Sequence, residues 1–273
     1  MGFSSNMVRN SHWLRDSRSP SPARSLSPAL RESRNAPPRS TWSTRVLSWN
    51  IAQCRPSDEA AWDEVENSRR IVSTIFNANA DVLCIQGAPS DDWGRNELSP
   101  HYTQLGSVRT HRGFTLLLSK AGPSADAHVL LTFDGTPAVG AVLDDVAFVA
   151  LHLAPEKYGD AIRLHQVTSA LEAVQSYERI VLAGDMNMRK RETVYALNLS
   201  DAWIATGMSR STEHTWDSRQ NRYHKGGLEF SCRFDRCFSR NLKCTSFGRI
   251  ADAKRDGAYL SDHFGILVTY GTV

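Results

Sequence analysis

The sequence predicts an α/β fold in which two β-sheets pack face to face with helices on the outside. Three observations predict it: a strand-helix-strand opening, a long strand-rich middle, and a helix-strand unit after it. In such a sandwich, polar side chains at strand ends that are distant in sequence converge on one cleft. The chain has 273 residues, 41% hydrophobic and 22% charged, enough for one large domain or two small ones around a substantial core.

Residues 1–42 form a Ser/Pro/Arg segment without hydrophobic periodicity, predicted to be disordered, and residues 43–273 form the folded domain. Val46 to Ile51 reads as the first strand. Glu59 to Ala78 carries Trp62, Val65, Ile71, Val72 and Ile75 at mostly helical spacing, and Asp81 to Gln86 is a second, buried strand. Short strand-like runs follow at Phe114–Leu118, Val129–Phe133 and Val146–Leu153, broken by Gly and Pro. Ala161 to Tyr177 is the next helix, with Leu164, Val167, Leu171 and Val174 on one face. Strands at Ile180–Ala183, Arg233–Phe238 and Phe264–Tyr270 close the set.

Composition excludes several classes. The longest apolar stretch, Val146 to Ala154, is interrupted by His152 and falls far short of the roughly 20 residues a bilayer requires, so a soluble protein with no membrane partner is expected. Five cysteines, odd in number and without a C-x-x-C pair, argue against a disulfide framework or a zinc site and fit a reducing compartment. The formal charge of +3 is unevenly placed: residues 1–40 hold seven Arg against Asp16 and Glu32, so the body is slightly acidic. The tail has three readings: an inert extension, a nuclear regulatory tail with Ser-Pro phosphorylation sites, or a mitochondrial transit peptide, against which its prolines weigh. A nuclear location is the expectation, with mitochondrial or cytoplasmic placement as alternatives, and a monomer is expected.

Chemistry-bearing residues recur at strand edges. Asn50, His152, Asp185 with Asn187, and Asp235 follow or end apolar runs, while Asp262 and His263 precede one. A lone Asp or Asn there is usually a turn residue satisfying backbone groups, but several together make that less plausible. The pattern suits phosphodiester chemistry. A carboxylate holds a hard divalent cation, an imidazole donates to a phosphate oxygen, and an Asp/Asn pair orients an attacking water.

The ordered series Ser48-Trp49-Asn50-Ile51, Leu151-His152-Leu153, Gly184-Asp185-Met186-Asn187, Arg233-Phe234-Asp235-Arg236 and Ser261-Asp262-His263 resembles the endonuclease/exonuclease/phosphatase superfamily. The resemblance spans essentially Arg45 to Val273 and implies a DNase I-like, four-layered sandwich. Within that superfamily, Gly184 to Glu192, Thr215-Trp216-Asp217 and Ser261 to Gly265 are similar to the branch that removes 5′-phosphotyrosyl adducts from DNA during repair.

The resemblance implies that Asp185 activates water, that Asn187 and Asn50 hold phosphate oxygens or the water, and that His263, oriented by Asp235, stabilises the transition state. It implies Mg²⁺ or Mn²⁺ on Asp262, DNA ends as partners, and Arg189, Trp216 and His152 as substrate-binding residues. Trp216 as a core aromatic and His152 as a structural histidine are the plainer alternatives.

One position departs from the pattern. The family carries a glutamate, its principal metal ligand, where this chain has Gly87 after Gln86. Asp91 or Asp92, on a loop folded back, is expected to be able to replace it. Three readings follow: a metal-dependent phosphodiesterase, a pseudoenzyme that keeps the DNA- or phosphate-binding cleft, and a lipid or inositol phosphodiesterase or phosphatase.

Overall fold

The first strand, β1 (Ser43–Asn50), sends alternate side chains into two different layers. Val46 enters one cluster, while Leu47 and Trp49 enter another on the opposite face. Its buried stretch, Val46 to Trp49, is interrupted only by Ser48, as suits a strand covered on both faces. The coordinates are a computed structural model that describes residues 42–121, 130–133, 136–190, 192, 194, 197–224, 226 and 229–272. Apart from Trp42, the tail predicted to be disordered lies outside the described residues, as do Val129 and Arg191.

After β1 come α1 (Glu64–Ala78), β2 (Val82–Ala88), a single turn α2 (Arg95–Leu98), β3 (Thr103–Thr110) and β4 (Gly113–Ser119). The middle supplies β5 (Leu130–Phe133), β6 (Thr136–Leu143) and β7 (Val146–His152), then α3 (Asp160–Ala173) and β8 (Arg179–Asp185). The last part holds β9 (Ser200–Asp201), the short α4 (Ala202–Ala205), β10 (Trp216–Asp217), β11 (Ser231–Cys232), β12 (Asp235–Arg240), β13 (Lys243–Ile250) and β14 (Gly265–Gly271).

Two six-stranded sheets result, in the orders β13-β14-β1-β2-β4-β3 and β5-β6-β7-β8-β12-β9, with β10 and β11 as a separate two-stranded ribbon. The parallel pairs β1–β2 and β7–β8 are each bridged by a helix, α1 and α3 respectively. Those helices cover the outer faces, through Ile71 and Ile75 on one side and Val167 and Leu171 on the other. Between the sheets, Val46, Val82 and Cys84 meet Val139, Phe148 and Val181. Each large aliphatic side chain buried in this way contributes about 1.5–3 kcal/mol. The order is helix, sheet, sheet, helix, the layered α/β sandwich predicted from sequence.

Both predicted helices differ in extent from the expectation. The first starts at Glu64 because the Asp63 carboxylate accepts from the Glu66 amide at 2.9 Å, and it stops at Asn79, whose φ of +51° is left-handed. Val65, assigned to its apolar face, is 60% exposed. In α3 Leu164 is 45% exposed while its neighbour Arg163 is fully buried. Among the described residues no helix is long and apolar enough to cross a membrane.

Candidate active site

Strand register builds the floor of the cleft. On adjacent strands His152 of β7 pairs with Asp185 of β8, and Asp185 pairs with Asp235 of β12, so three polar residues end their strands at one level. Gly184 permits this close approach, since a Cβ there would lie 1.9 Å from the Leu151 carbonyl oxygen. Asn50 arrives from β1 of the other sheet, and Asp262 and His263 from the loop before β14. Ser261 ties these together: its hydroxyl donates to the Asn50 carbonyl at 2.6 Å and accepts from the His263 amide at 3.2 Å. The Trp49 indole N–H donates to the His263 carbonyl at 3.1 Å.

Asp185 is the hub. Its Oδ2 accepts from Asn50 Nδ2 at 2.9 Å and its Oδ1 from the Asn187 amide at 3.0 Å. The Nε2 atoms of His152 and His263 stand 3.5 and 3.6 Å from Oδ2, too far for direct hydrogen bonds. His263 Nδ1 is 2.8 Å from Asp235 Oδ2. Burial alone would depress the His263 imidazole, but Asp235 and Asp185 outweigh it and raise its pKa. Burial opposes ionisation of Asp185, yet His263, His152, Asn50 and the Asn187 amide hold it below its usual value. Burial lowers His152 from 6.5 to about 4, leaving it neutral at physiological pH. The floor is therefore an ionised carboxylate beside an imidazolium, with a neutral imidazole on its other flank.

The cleft encloses about 530 Å³. Trp216 forms one wall, stacked with Phe230 at 6.0 Å and edge-on to His263 at 5.0 Å. Phe230 is 39% exposed, and the Arg189 guanidinium lies 4.7 Å over the Phe234 ring. Arg55, His111 and Arg112 also line the cleft. Sequence reasoning placed Arg189 and Trp216 here but missed Phe230, Phe234, His111 and the two arginines, which lie outside the regular strands and helices and so have no periodic context.

The loop after β8, which carries Asn187 and Arg189, is clamped by two buried arginines. Arg163 of α3 forms a paired contact with the Glu192 carboxylate at 2.7 and 2.8 Å and donates to the carbonyls of Ala154 and Glu156. Glu192 in turn accepts from the Arg189 amide at 2.8 Å. Arg236 of β12 donates to the carbonyls of Met188, Arg189 and Glu192. Burial lowers its pKa to about 10, so it stays cationic. An arginine four residues before Val167 on an otherwise inward helix face was the available signal for the first clamp.

Gly87 differs in kind from a simple loss of a carboxylate. Its φ is +64° and β2 is bulged against β4 between Ile85 and Ala88. A Cβ at Gly87 would lie 2.5 Å from Asn50 Oδ1, an atom that accepts the Ala52 amide at 3.1 Å. The expectation that Asp91 or Asp92 fills the gap is not met. Both are exposed, neither lines the cleft, and Asp92 accepts the Ser90 hydroxyl at 2.6 Å.

The donor set nevertheless fits a divalent cation held loosely. Asp262 lines the cleft with a side chain 11% exposed, and His224 Nε2 faces its Oδ2 at 3.7 Å. Asp185, Asp235 and His263 also place ligand atoms within 4.8 Å of one another. That group is already closed on itself, with the imidazolium lodged between two carboxylates.

The sequence pattern of the Endonuclease/Exonuclease/phosphatase family matches residues 47–263. The chain belongs to this family. Mouse (Mus musculus) tyrosyl-DNA phosphodiesterase 2 is 26% identical over 229 residues, which cover 76% of this chain and 62% of the mouse protein. The matched region thus spans less than two thirds of that relative's length. A crystal structure of truncated Caenorhabditis elegans TDP2 superposes with a TM-score of 0.70 at 21% identity, covering 84% of this chain and 98% of that one. D. rerio TDP2, crystallised with single strand DNA product, gives 0.66 at 19% identity over 84% and 99% of the two chains. At such identities the structural likeness is one of fold, and it agrees with the DNase I-like sandwich implied by the sequence motifs.

Proposed function

We propose that this chain is a divalent-metal-dependent phosphodiesterase acting at nucleic-acid ends, with 5′-phosphotyrosyl DNA as its substrate class. The observation that carries the reading is the ionised Asp185 carboxylate, aimed by Asn50 and the Asn187 amide and set beside the His263–Asp235 pair. In this reading Asp185 takes the proton of a water attacking phosphorus in line. His263, kept protonated and oriented by Asp235, donates to a non-bridging oxygen as charge builds in the transition state. Asn187, whose Nδ2 is anchored to the Leu153 carbonyl at 3.0 Å, presents its amide oxygen to the water. Neutral His152 donates to the phosphate without adding charge.

Arg189 grips a phosphate through its planar fork, and Trp216 with Phe230 offers a stacking wall for a base or a tyrosyl leaving group. Asp262 would hold Mg²⁺ or Mn²⁺, and the ion supplies Lewis-acid polarisation of a phosphoryl oxygen.

The reading is tested by hydrolysis of a 5′-phosphotyrosyl oligonucleotide with Mg²⁺ or Mn²⁺, comparing wild type with Asp185→Asn and His263→Gln. Each variant is expected to lose roughly 10²–10⁴-fold in kcat with oligonucleotide affinity little changed. The bulged Gly87 favours a second reading, a cleft that binds DNA without turnover. Tight binding of the oligonucleotide by a wild type that cleaves nothing with either ion would establish that reading instead.

A further inference from the structure

A cation held by Asp262 alone is weakly held, because Mg²⁺ sites ordinarily combine one or two carboxylates with water and substrate phosphate. The Gly87 position supplies no ligand, and a Cβ there would collide with the Asn50 amide. Asp185 is engaged through both oxygens. Of the histidines that line the cleft, His224 is the one that faces Asp262.

His224 Nε2 stands 3.7 Å from Asp262 Oδ2. That separation is an ion-pair distance, and Asp262 raises the pKa of the His224 imidazole, so a cation must displace a proton there. The separation is within the ~4.2 Å that one ion with bonds of ~2.1 Å to a nitrogen and an oxygen can bridge. The ring is set in place by Tyr223, packed edge-on at 4.8 Å, whose own hydroxyl donates to the Arg55 carbonyl. Tyr223 is 2% exposed, so the residue bearing His224 is anchored while the imidazole itself reaches into the cleft.

We propose that His224 and Asp262 form the cation-binding pair of this chain, an imidazole standing in for the carboxylate absent at Gly87, and that the pair selects Mn²⁺ over Mg²⁺. The selectivity follows from ligand chemistry. Both ions favour oxygen ligands and Mn²⁺ is the weakest binder of its first-row series, but Mg²⁺ dehydrates reluctantly and demands near-ideal octahedral oxygen geometry, so an imidazole in the pair penalises Mg²⁺ more than Mn²⁺. The inference rests on the phosphodiesterase reading for the identity of the cleft, but ion binding is measured without turnover.

The experiment is calorimetric titration of the full chain with Mn²⁺ and with Mg²⁺, for wild type, His224→Ala, His224→Asp and Asp262→Ala. Far-UV circular dichroism confirms folding; the His224 side chain is 61% exposed, so its replacement is not expected to disturb the core. Wild type should bind one Mn²⁺ at least 10-fold more tightly than Mg²⁺. His224→Ala should lose at least 10-fold in Mn²⁺ affinity, and His224→Asp, with an all-oxygen pair, should shift the preference toward Mg²⁺. Unchanged Mn²⁺ affinity in His224→Ala, a wild-type preference for Mg²⁺, or no binding of either ion would overturn the proposal. A chain that binds Mn²⁺ through His224 yet cleaves no oligonucleotide sustains this inference while sinking the proposed activity.

Discussion

Gly87 is the place where a single methyl group tests the description of the cleft. Replacing it with alanine puts an L side chain at a φ of +64°, which costs about 1–2 kcal/mol by itself. The new Cβ also falls 2.5 Å from Asn50 Oδ1. Asn50 has a short side chain, is 7% exposed, and is tied at both ends, to Asp185 and to the Ala52 amide, so it cannot swing aside freely. Displacing it gives up a bond to a charged group, about 1.5–3 kcal/mol, and a neutral one of about 1 kcal/mol. Gly87→Ala is therefore expected to destabilise the fold by about 3.5–6 kcal/mol, a large share of a typical 5–15 kcal/mol.

Urea denaturation followed by tryptophan fluorescence measures this, and a double-mutant cycle isolates the cause. In an Asn50→Ala background the obstacle is gone, and Gly87→Ala should cost only the backbone penalty of about 1–2 kcal/mol. Gly87→Glu meets the same collision, so it should lower cleavage by releasing Asp185 from Asn50 rather than restore a metal site. A cost for Gly87→Ala below about 0.5 kcal/mol, or the same cost in both backgrounds, would falsify the argument.

Two further outcomes are expected. His152 has its pKa lowered from 6.5 to about 4 by burial, so between those values the unfolded chain binds a proton that the folded chain refuses. Its contribution to stability is therefore present above pH 6.5 and lost as pH falls towards 4, by about 2.5 kcal/mol from pH 7.5 to 4.5 at 1.36 kcal/mol per unit. Urea midpoints of wild type and His152→Gln across that range should converge or cross in favour of the variant, and a constant difference would show that His152 is not buried neutral. Arg163→Met leaves the Glu192 carboxylate without its paired contact, and the expected loss is about 3–5 kcal/mol. Adding Glu192→Gln should recover part of that stability in thermal melts but not the cleavage rate, because the loop that carries Arg189 still lacks its tie to α3; full recovery of rate would remove the clamp from the account of the site.

What was legible in the sequence is what depends on local pattern. Apolar runs closed by a polar residue gave β1, β7 and β8 together with Asn50, His152 and Asp185, because a strand's end is written in the residues that form it. Polar β13 was not recognised: its side chains are largely exposed or half-buried, so no alternation marks it. Val65 and Leu164 fit a 3.6-residue spacing yet face outward, since periodicity fixes a face only to within a fraction of a turn. The Arg163 clamp was not foreseen, because its partner, Glu192, is 29 residues away on a loop. The bulge at Gly87 depends on how β2 registers against β4, which composition does not encode.

The geometry also separates two properties that a pseudoenzyme reading joins. In the proposed function, phosphate capture falls to Arg189, Arg55 and Arg112, cations that line the cleft. In the same reading, water activation falls to Asp185, Asn50, Asn187 and the His263–Asp235 pair, a network in which every member is bonded to another. A cleft kept only for binding has no physical need of the second set, and holding an ionised carboxylate and an imidazolium in a buried floor costs desolvation that binding alone does not offset. The intact network at Asp185 therefore weighs for turnover even where Gly87 weighs against the usual ion site. If the arginines set affinity and the network sets rate, Arg112→Ala should weaken DNA binding and flatten its salt dependence while leaving the rate at saturating substrate unchanged. A fall in that saturated rate would show that capture and chemistry share one set of groups.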